Sequence, residues 1–553
     1  MSGADDTSPL YIGVDVGTRS VRAALFNKAG LSIKTSVKPI TIWNPKPNFY
    51  EQSSDNIWAS CCAAIKDACL GVSPDRVKGI GVDATCSLVV LDKNDQPLSV
   101  SPTGMKEQNV VMWMDHRAQE QAQRINLTNH DVLKYVGGAI SLEMEPPKLL
   151  WLKENMNESC WNKAGSFFEL PDFLTFKATG CTTRSLCSMV CKWSYCISEG
   201  DTSKQGWSDT FWQQIGLDDL AEANYAKIDQ TILPPGTACG SGLSAKAAGE
   251  MGLNPGTPVA TSIIDAHAGA IGCLGCDMSV LQSSEPYTNR LILISGTSMC
   301  HMVVNKNPVS VPGVWGPFYS AIIPGLWGHE GGQSATGKLI DHVIEGHAAY
   351  GELKELASER KQHAHDVLNS KLDEMASESN VELGQLTKQL HIWPDFHGNR
   401  SPIADPTLTG MISGLTLANG IPDLALLYLS CLQALAYGTR QIVEALTANG
   451  YSIDVVCMCG GLRKNKLFVM THADVLGLPI LLPEEEESVL LGSAILGAYA
   501  SGDFPNLQTC MKTMGGRGKL VQPNATSTSF HEKKYRVFLK MLKDQLQYRA
   551  MME

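Results

Sequence analysis

Between Tyr11 and Phe26 the chain reads YIGVDVGTRSVRAALF, and no other stretch restricts the fold so strongly. Ile12, Val14 and Val16 alternate onto one face of a strand, which leaves Gly13, Asp15 and Gly17 on the other. Gly17 and Thr18 make a tight turn, after which Val21, Ala23 and Leu25 resume the alternation in a returning strand. The second face therefore carries one side chain, a carboxylate, among glycines that let a large anion approach the backbone. Thr18, Arg19 and Ser20 add donors and charge for phosphate oxygens. Two anions meet only through a cation, so Asp15 facing a triphosphate would hold Mg²⁺. An edge hairpin with an ordinary turn satisfies the same pattern, and other segments have to separate the two readings.

A chain of 553 residues is too long for one hydrophobic core, and its size predicts roughly two to four domains. A net charge of -11 argues against a nucleic-acid binder, which needs basic surface to displace counterions. The first ten residues, MSGADDTSPL, lack the basic and apolar regions of a signal peptide, and no uninterrupted apolar run is long enough to span a bilayer. These features predict a cytoplasmic protein without membrane partners. Many of the 17 cysteines, among them Cys61, Cys62, Cys457 and Cys459, lie in apolar settings that suit reduced, buried thiols. Cys181, Cys187 and Cys191 lack the paired spacing of a zinc site.

After the hairpin, Leu31 to Ile40 reads as a third strand, Ser54 to Leu70 as a helix, and Gly79 to Leu91 as a strand region with a polar interruption. Far downstream, Leu291 to Met302 carries Gly296-Thr297-Ser298 at the end of an apolar run and reads as a second copy of the hairpin. A third apolar run, Ile453 to Cys459, enters CGGLRKN and a helix from Asn465 to Leu476, which gathers backbone donors at a helix start. Three such strand ends fit one cleft between two lobes, 1-275 and 290-553, with the boundary between Gly272 and Asn289. Tyr350 to Val381 reads as a helical insertion, and Glu484 to Glu487 as a solvated helix start. Gly332-Gln-Ser-Ala-Thr-Gly337-Lys338 has Walker A spacing, but Leu339 stands where Mg²⁺ needs a hydroxyl and no convincing strand precedes it.

Transfer of a phosphoryl group to a hydroxyl also needs a base in line with the γ-phosphate. In GTPVATSIIDAHAGAIG, the apolar run Val259 to Ile264 ends at Asp265 among small residues, where a carboxylate can accept a proton from a bound alcohol. The same residue can also cap the following helix.

Taken in order, GVDVGTRS, Trp113-Met-Asp115-His-Arg117, KLLWLKEN, PDFLTFKATG, Asp265-Ala-His-Ala-Gly269, Ser295-Gly-Thr-Ser298 and GGLRKN resemble the FGGY carbohydrate kinases of the actin-like ATPase superfamily. The segments DATCSLVV from Asp83 and WPDFHGNRSP from Trp393 resemble the ribulokinase-like branch. The resemblance implies an α/β fold of two ribonuclease-H-like lobes, with sugar mainly on the first and ATP in the cleft. By residue match it assigns Asp15, Gly17, Thr18 and Arg19 to the first phosphate motif and Gly296, Thr297 and Ser298 to the second. Gly460, Gly461 and Asn465 match the adenosine motif, and Asp265 the catalytic aspartate. Thr85, Cys86, Glu143 and Asp265 match sugar-contacting positions, with Trp113 and Asp115 as further candidates. Two departures stand out, Gln433 where relatives often carry an acid and Glu143-Met-Glu-Pro-Pro before Lys148. The Thr85-Cys86 pair lacks charged groups to grip a short polyol, which favours a longer ketose or pentitol held by several modest hydrogen bonds. The implied reaction is ATP- and Mg²⁺-dependent phosphorylation of the terminal hydroxyl of a pentulose, D-ribulose foremost. L-ribulose, xylulose or ribitol, or an actin-like module without turnover, are the alternatives, in a monomer or homodimer.

Overall fold

A computed structural model describes residues 8–198, 201–228, 231–278 and 287–552. Strands Leu10–Val16, Ser20–Asn27 and Ser32–Pro39 form an antiparallel meander. Val77–Ala84 runs parallel to Leu10–Val16 on its other side, and Ile263–Ile264 lies parallel beyond it. The hairpin thus occupies the middle of a five-stranded sheet, and Leu10–Val16 is buried throughout. That placement removes the edge-hairpin alternative. Ile12, Val14 and Val16 share a core with Val21, Ala23 and Leu25 and with Ile57, Cys61 and Ile65 of helix Ser54–Ala68, as the alternation requires. Ser53 caps that helix, its hydroxyl accepting the Asn56 N–H at 3.2 Å. The polar interruption after Val77–Ala84 is a change of sheet. Leu88–Asp92 pairs with Ala164–Glu169 and Val110–Val111 in a separate four-stranded sheet.

The second sheet repeats the plan. Arg290–Ser295 is antiparallel to Met299–Asn305, which pairs with Trp327–Gln333, and parallel to Val455–Cys459, which pairs with Ile480–Pro483. Trp315–Tyr319 and Gly518–Val521 complete seven strands. Helix Ile421–Ala448 crosses this lobe and is apolar enough over its length to pass as a membrane span, against the expectation for the chain. Most of that span is buried in the second core, which accounts for its composition. The insertion is a helix pair, Tyr350–Arg360 and Ala364–Ser379. All 17 cysteines are free. The expected lobe boundary between Gly272 and Asn289 runs through residues 279–286, which lie outside the described residues.

Helix Ser488–Ala500 follows Ile480–Pro483 in the second sheet but lies against the first. A Cβ added to Gly13 would fall 2.0 Å from the Leu490 carbonyl oxygen, one on Gly79 2.0 Å from that of Gly497, and one on Gly81 1.8 Å from that of Ser493. Helix Asp265–Leu274 meets the same helix, where a Cβ on Gly492 would fall 1.9 Å from the Ala268 oxygen. Backbone rests on backbone along this seam. Gly13 therefore admits a helix and not a phosphate, which corrects its expected role.

Candidate active site

Register brings the acids together. Asp15 lies opposite Asp83 in the parallel pair, and Asp83 opposite Ile263, two residues before Asp265. Asp265 is the first residue of its helix, Ile264 takes the cap position, and the Asp265 Oδ1 accepts the Ala266 N–H at 2.7 Å. Burial, then the charge of Asp15, pushes the Asp265 carboxyl up to about 7. Asp15, 3% exposed, accepts from Arg22 Nε at 2.8 Å, and Arg22 also pairs with Glu487. Glu487 takes the cap position of helix Ser488–Ala500 and is partly exposed, as a solvated helix start requires, and through Arg22 it also reaches Asp15. Asp83 is fully buried, accepts from the Ser493 hydroxyl and keeps an unpartnered Oδ1; burial and Asp15 hold its carboxyl well above the ordinary range. Sequence reading missed Asp83 as a site residue, although a polar side chain ending an apolar strand beside Asp15 was a usable signal.

Each glycine turn is closed by a hydrogen bond from the glycine N–H, across three residues in the first and two in the second. Gly17 N–H reaches Ser20 O at 3.0 Å, and Gly296 N–H reaches Ser298 O at 2.8 Å. Thr18 accepts from Trp113 Nε1 at 3.1 Å and Arg19 is exposed, so the first turn keeps free donors. Gly296 and Thr297 are exposed, and Ser298 is half-buried. The Walker-like segment belongs to this second turn: Thr336 and Lys338 N–H groups donate to Thr297 O at 2.9 and 3.2 Å, and Gly337 N–H to Gly296 O at 3.0 Å. A strand, Trp327–Gln333, does precede it and a helix, Gly337–Glu345, follows, so the expected lack of a strand was wrong. Leu339 is nonetheless buried in the core, which leaves no hydroxyl where a P-loop needs one. Gly460 has φ +87 and a Cβ there would strike Ser295 O at 2.3 Å, which ties the third strand end to the second turn. Gly461 is open to its surroundings, whereas the Asn465 side chain caps helix Lys466–Leu476 and bonds Tyr428 at 2.6 Å.

On the other side of Asp265, charge dominates. Lys192 Nζ lies 3.5 Å from Glu330 Oε2 and 4.4 Å from the Trp315 ring. Arg400 donates to Glu143 at 2.7 Å, contacts Cys300 Sγ at 3.6 Å and lies near the same ring. Burial would raise Glu330, yet the neighbouring cations, Lys192 first and Arg400 with it, hold it below the ordinary carboxylate range. Lys192 and Glu330 also act on Asp265 electrostatically. Thr85 and Cys86 are buried beside them, with the Thr85 hydroxyl unpartnered. Glu330, Arg400 and Trp315 come from the second lobe, so the charged groups gathered around Glu143 and Lys192 are drawn from both lobes. Lys192 and Glu330 had no sequence signal beyond being single charges in apolar surroundings. Asp115 is not available to a sugar, because its two oxygens accept from Arg117, Tyr50 N–H and Arg117 N–H at 2.7 to 2.9 Å. Gln433 is packing, accepting from Thr387 at 2.6 Å and donating to Gly384 O.

Models of the FGGY family of carbohydrate kinases match residues 10–272, as the N-terminal domain, and 291–501, as the C-terminal domain. The chain belongs to the FGGY carbohydrate kinases. It is 52% identical over 556 residues to the human FGGY carbohydrate kinase domain-containing protein, covering 100% of both chains. It is 40% identical over 527 residues to a D-ribulokinase of Saccharomyces cerevisiae, covering 91% of this chain and 73% of the relative. A xylulose kinase structure from Rhodospirillum rubrum superposes with a TM-score of 0.75 over 98% of this chain and 99% of that one, at 19% identity, which attests the shared two-lobed actin-like fold. This FGGY kinase is therefore a sugar kinase that uses ATP.

Proposed function

We propose that this FGGY kinase phosphorylates the terminal hydroxyl of a free pentulose, with D-ribulose the preferred acceptor. The 40% identity with a D-ribulokinase carries the choice of sugar. The site supports the chemistry. Asp265, with its carboxyl near 7, accepts the hydroxyl proton as the oxygen attacks the γ-phosphorus and the bond to the β-phosphate oxygen breaks. The turns Gly17–Arg19 and Gly296–Ser298 supply backbone and hydroxyl donors for the phosphates, and neither glycine has an atom nearer than 3.7 Å to the place of a Cβ. Lys192, Glu330 and the Glu143–Arg400 pair bind and orient sugar hydroxyls, and their arrival from both lobes excludes water when the cleft closes. The all-oxygen set of Asp15 and the unpartnered Oδ1 of Asp83 suits a hard cation. Asp15 would hold Mg²⁺ there with ATP, and the ion would supply positive charge to offset that of the phosphates.

A panel of D-ribulose, L-ribulose, xylulose, ribitol and glycerol at fixed ATP, read as kcat/KM and as product mass, tests the assignment. D-Ribulose is expected to exceed the others by at least about tenfold, the size of one well-made polar contact. Equal turnover across the panel, or ATP hydrolysis without sugar phosphate, rejects it.

A further inference from the structure

Two residues along the helix from Asp265, His267 points at a pair of thiols. Cys187 and Cys191 stand one turn apart on helix Leu186–Lys192 and so share a face. One donor atom from each of Cys187, Cys191 and His267 lies within 4.8 Å of the other two, and Cys191 Sγ is 3.4 Å from His267 Nε2. All three residues are fully buried. The sequence hid this cluster, because the two cysteines lack C-x-x-C spacing and the histidine comes 76 positions after Cys191.

The distances fit a shared metal as well as they fit a thiol–imidazole hydrogen bond. Zinc bonds of about 2.3 Å to sulfur and about 2.0 Å to nitrogen in a tetrahedron place S and N about 3.5 Å apart, and two sulfurs about 3.8 Å apart. The observed S···N separation is within about 0.1 Å of the first figure. Burial keeps the imidazole uncharged, the form that ligates, and its Nδ1 has no partner, so the ring is not committed to another network. Two thiolates cancel the charge of a divalent ion. Loading would therefore leave the field unchanged at Lys192 and Glu330 nearby.

We propose that Cys187, Cys191 and His267 form a three-ligand site for a thiophilic d¹⁰ cation such as Zn²⁺, separate from the oxygen-lined phosphate end. Such an ion fastens the helix that ends at Lys192 to the helix that begins at Asp265. It would thus fix the spacing between a sugar-side cation and the base.

The test uses the full, untagged chain, stripped with chelator under reducing conditions and titrated anaerobically with Co²⁺, then with Zn²⁺. One equivalent of Co²⁺ is expected to give thiolate-to-cobalt charge-transfer absorption that Zn²⁺ abolishes by displacement. X-ray absorption of the Zn²⁺-loaded chain should show two sulfurs and at least one imidazole nitrogen. The double variant C187A/C191A should lose the absorption, together with the Zn²⁺-dependent rise in Tm. A first shell with no sulfur, or unchanged absorption in that variant, overturns the proposal. Should the variant fail to fold, the absorption edge of the natural chain decides alone, since this is the one soft-ligand triad among the described residues.

Discussion

Asp265→Asn sets catalysis against stability, and the signs are opposite. The folded chain holds this carboxyl near 7 against an ordinary 3.8, so folding favours its protonated form. Its stabilising contribution is complete below about pH 3.8 and is lost as pH rises through about 7. That interval corresponds to about 4 kcal/mol at about 1.36 kcal/mol per tenfold change in proton affinity. Asp265 is partly open to the cleft, and solvent screening cuts this to about 2 kcal/mol. Asparagine cannot ionise, so the variant is expected to be the more stable protein above pH 7. With an unfolding entropy of about 2.1 cal/mol/K per residue over residues 10–272, about 2 kcal/mol becomes a Tm gain of roughly 3 to 4 °C. Calorimetry of the ligand-free chains at pH 8 and pH 4 reads it, and the gap should close at the lower pH. The same variant should lose about 10²- to 10⁴-fold in kcat, and wild-type kcat/KM should fall on the acid side with a midpoint near 7. A variant no more stable than wild type at pH 8, combined with an acid limb near 4, would refute the argument that burial and Asp15 tune this base.

Glu143→Gln and Arg400→Lys each break the cross-lobe pair, and kcat/KM for the sugar should drop at least about tenfold while the ATP KM stays within about twofold; equal effects on both substrates would contradict a sugar-side role. Asp115→Asn leaves Arg117 and Glu51 in a buried ionic cluster, so a loss of about 3 to 5 kcal/mol in chemical denaturation is expected with the sugar KM unchanged in the folded fraction. A large KM rise without that loss would return Asp115 to the sugar wall. Gly81→Ala places a methyl 1.8 Å from the Ser493 oxygen and should cost at least about 3 kcal/mol, seen as poor soluble yield or a lowered Tm, whereas Gly351→Ala, with nothing nearby and an ordinary helical backbone, should not destabilise.

The alternation in Tyr11 to Phe26 specified two strands and their inward face because one period governs both. It could not show that the sheet continues on both sides, since the parallel neighbours come from residues 77–84 and 263–264. For the same reason Asp15 and Asp265 were legible as single acids in suggestive settings, while their meeting with Asp83 was not. Lys192 and Glu330 sit in segments 138 residues apart, and nothing local distinguishes them from charges that merely cap or solvate an element. Asp115 erred the other way: its motif was real, but its oxygens serve Arg117 and a loop backbone. The Walker-like segment was rejected on Leu339, which holds, and on a missing strand, which does not, because Trp327–Gln333 is rich in glycine and weak in strand formers.

Where the helix from the C-terminal domain rests on the N-terminal domain, glycine leaves no side chains to give way. A contact of carbonyl against Cα cannot be retuned by changing a rotamer, as a leucine-filled interface can. Any movement of one domain against the other is therefore expected to carry helix Ser488–Ala500 and the strands beneath it as one piece. Ser493 rides on that helix with its hydroxyl on Asp83. Any displacement of that helix is thus carried to the carboxylates through the same contact.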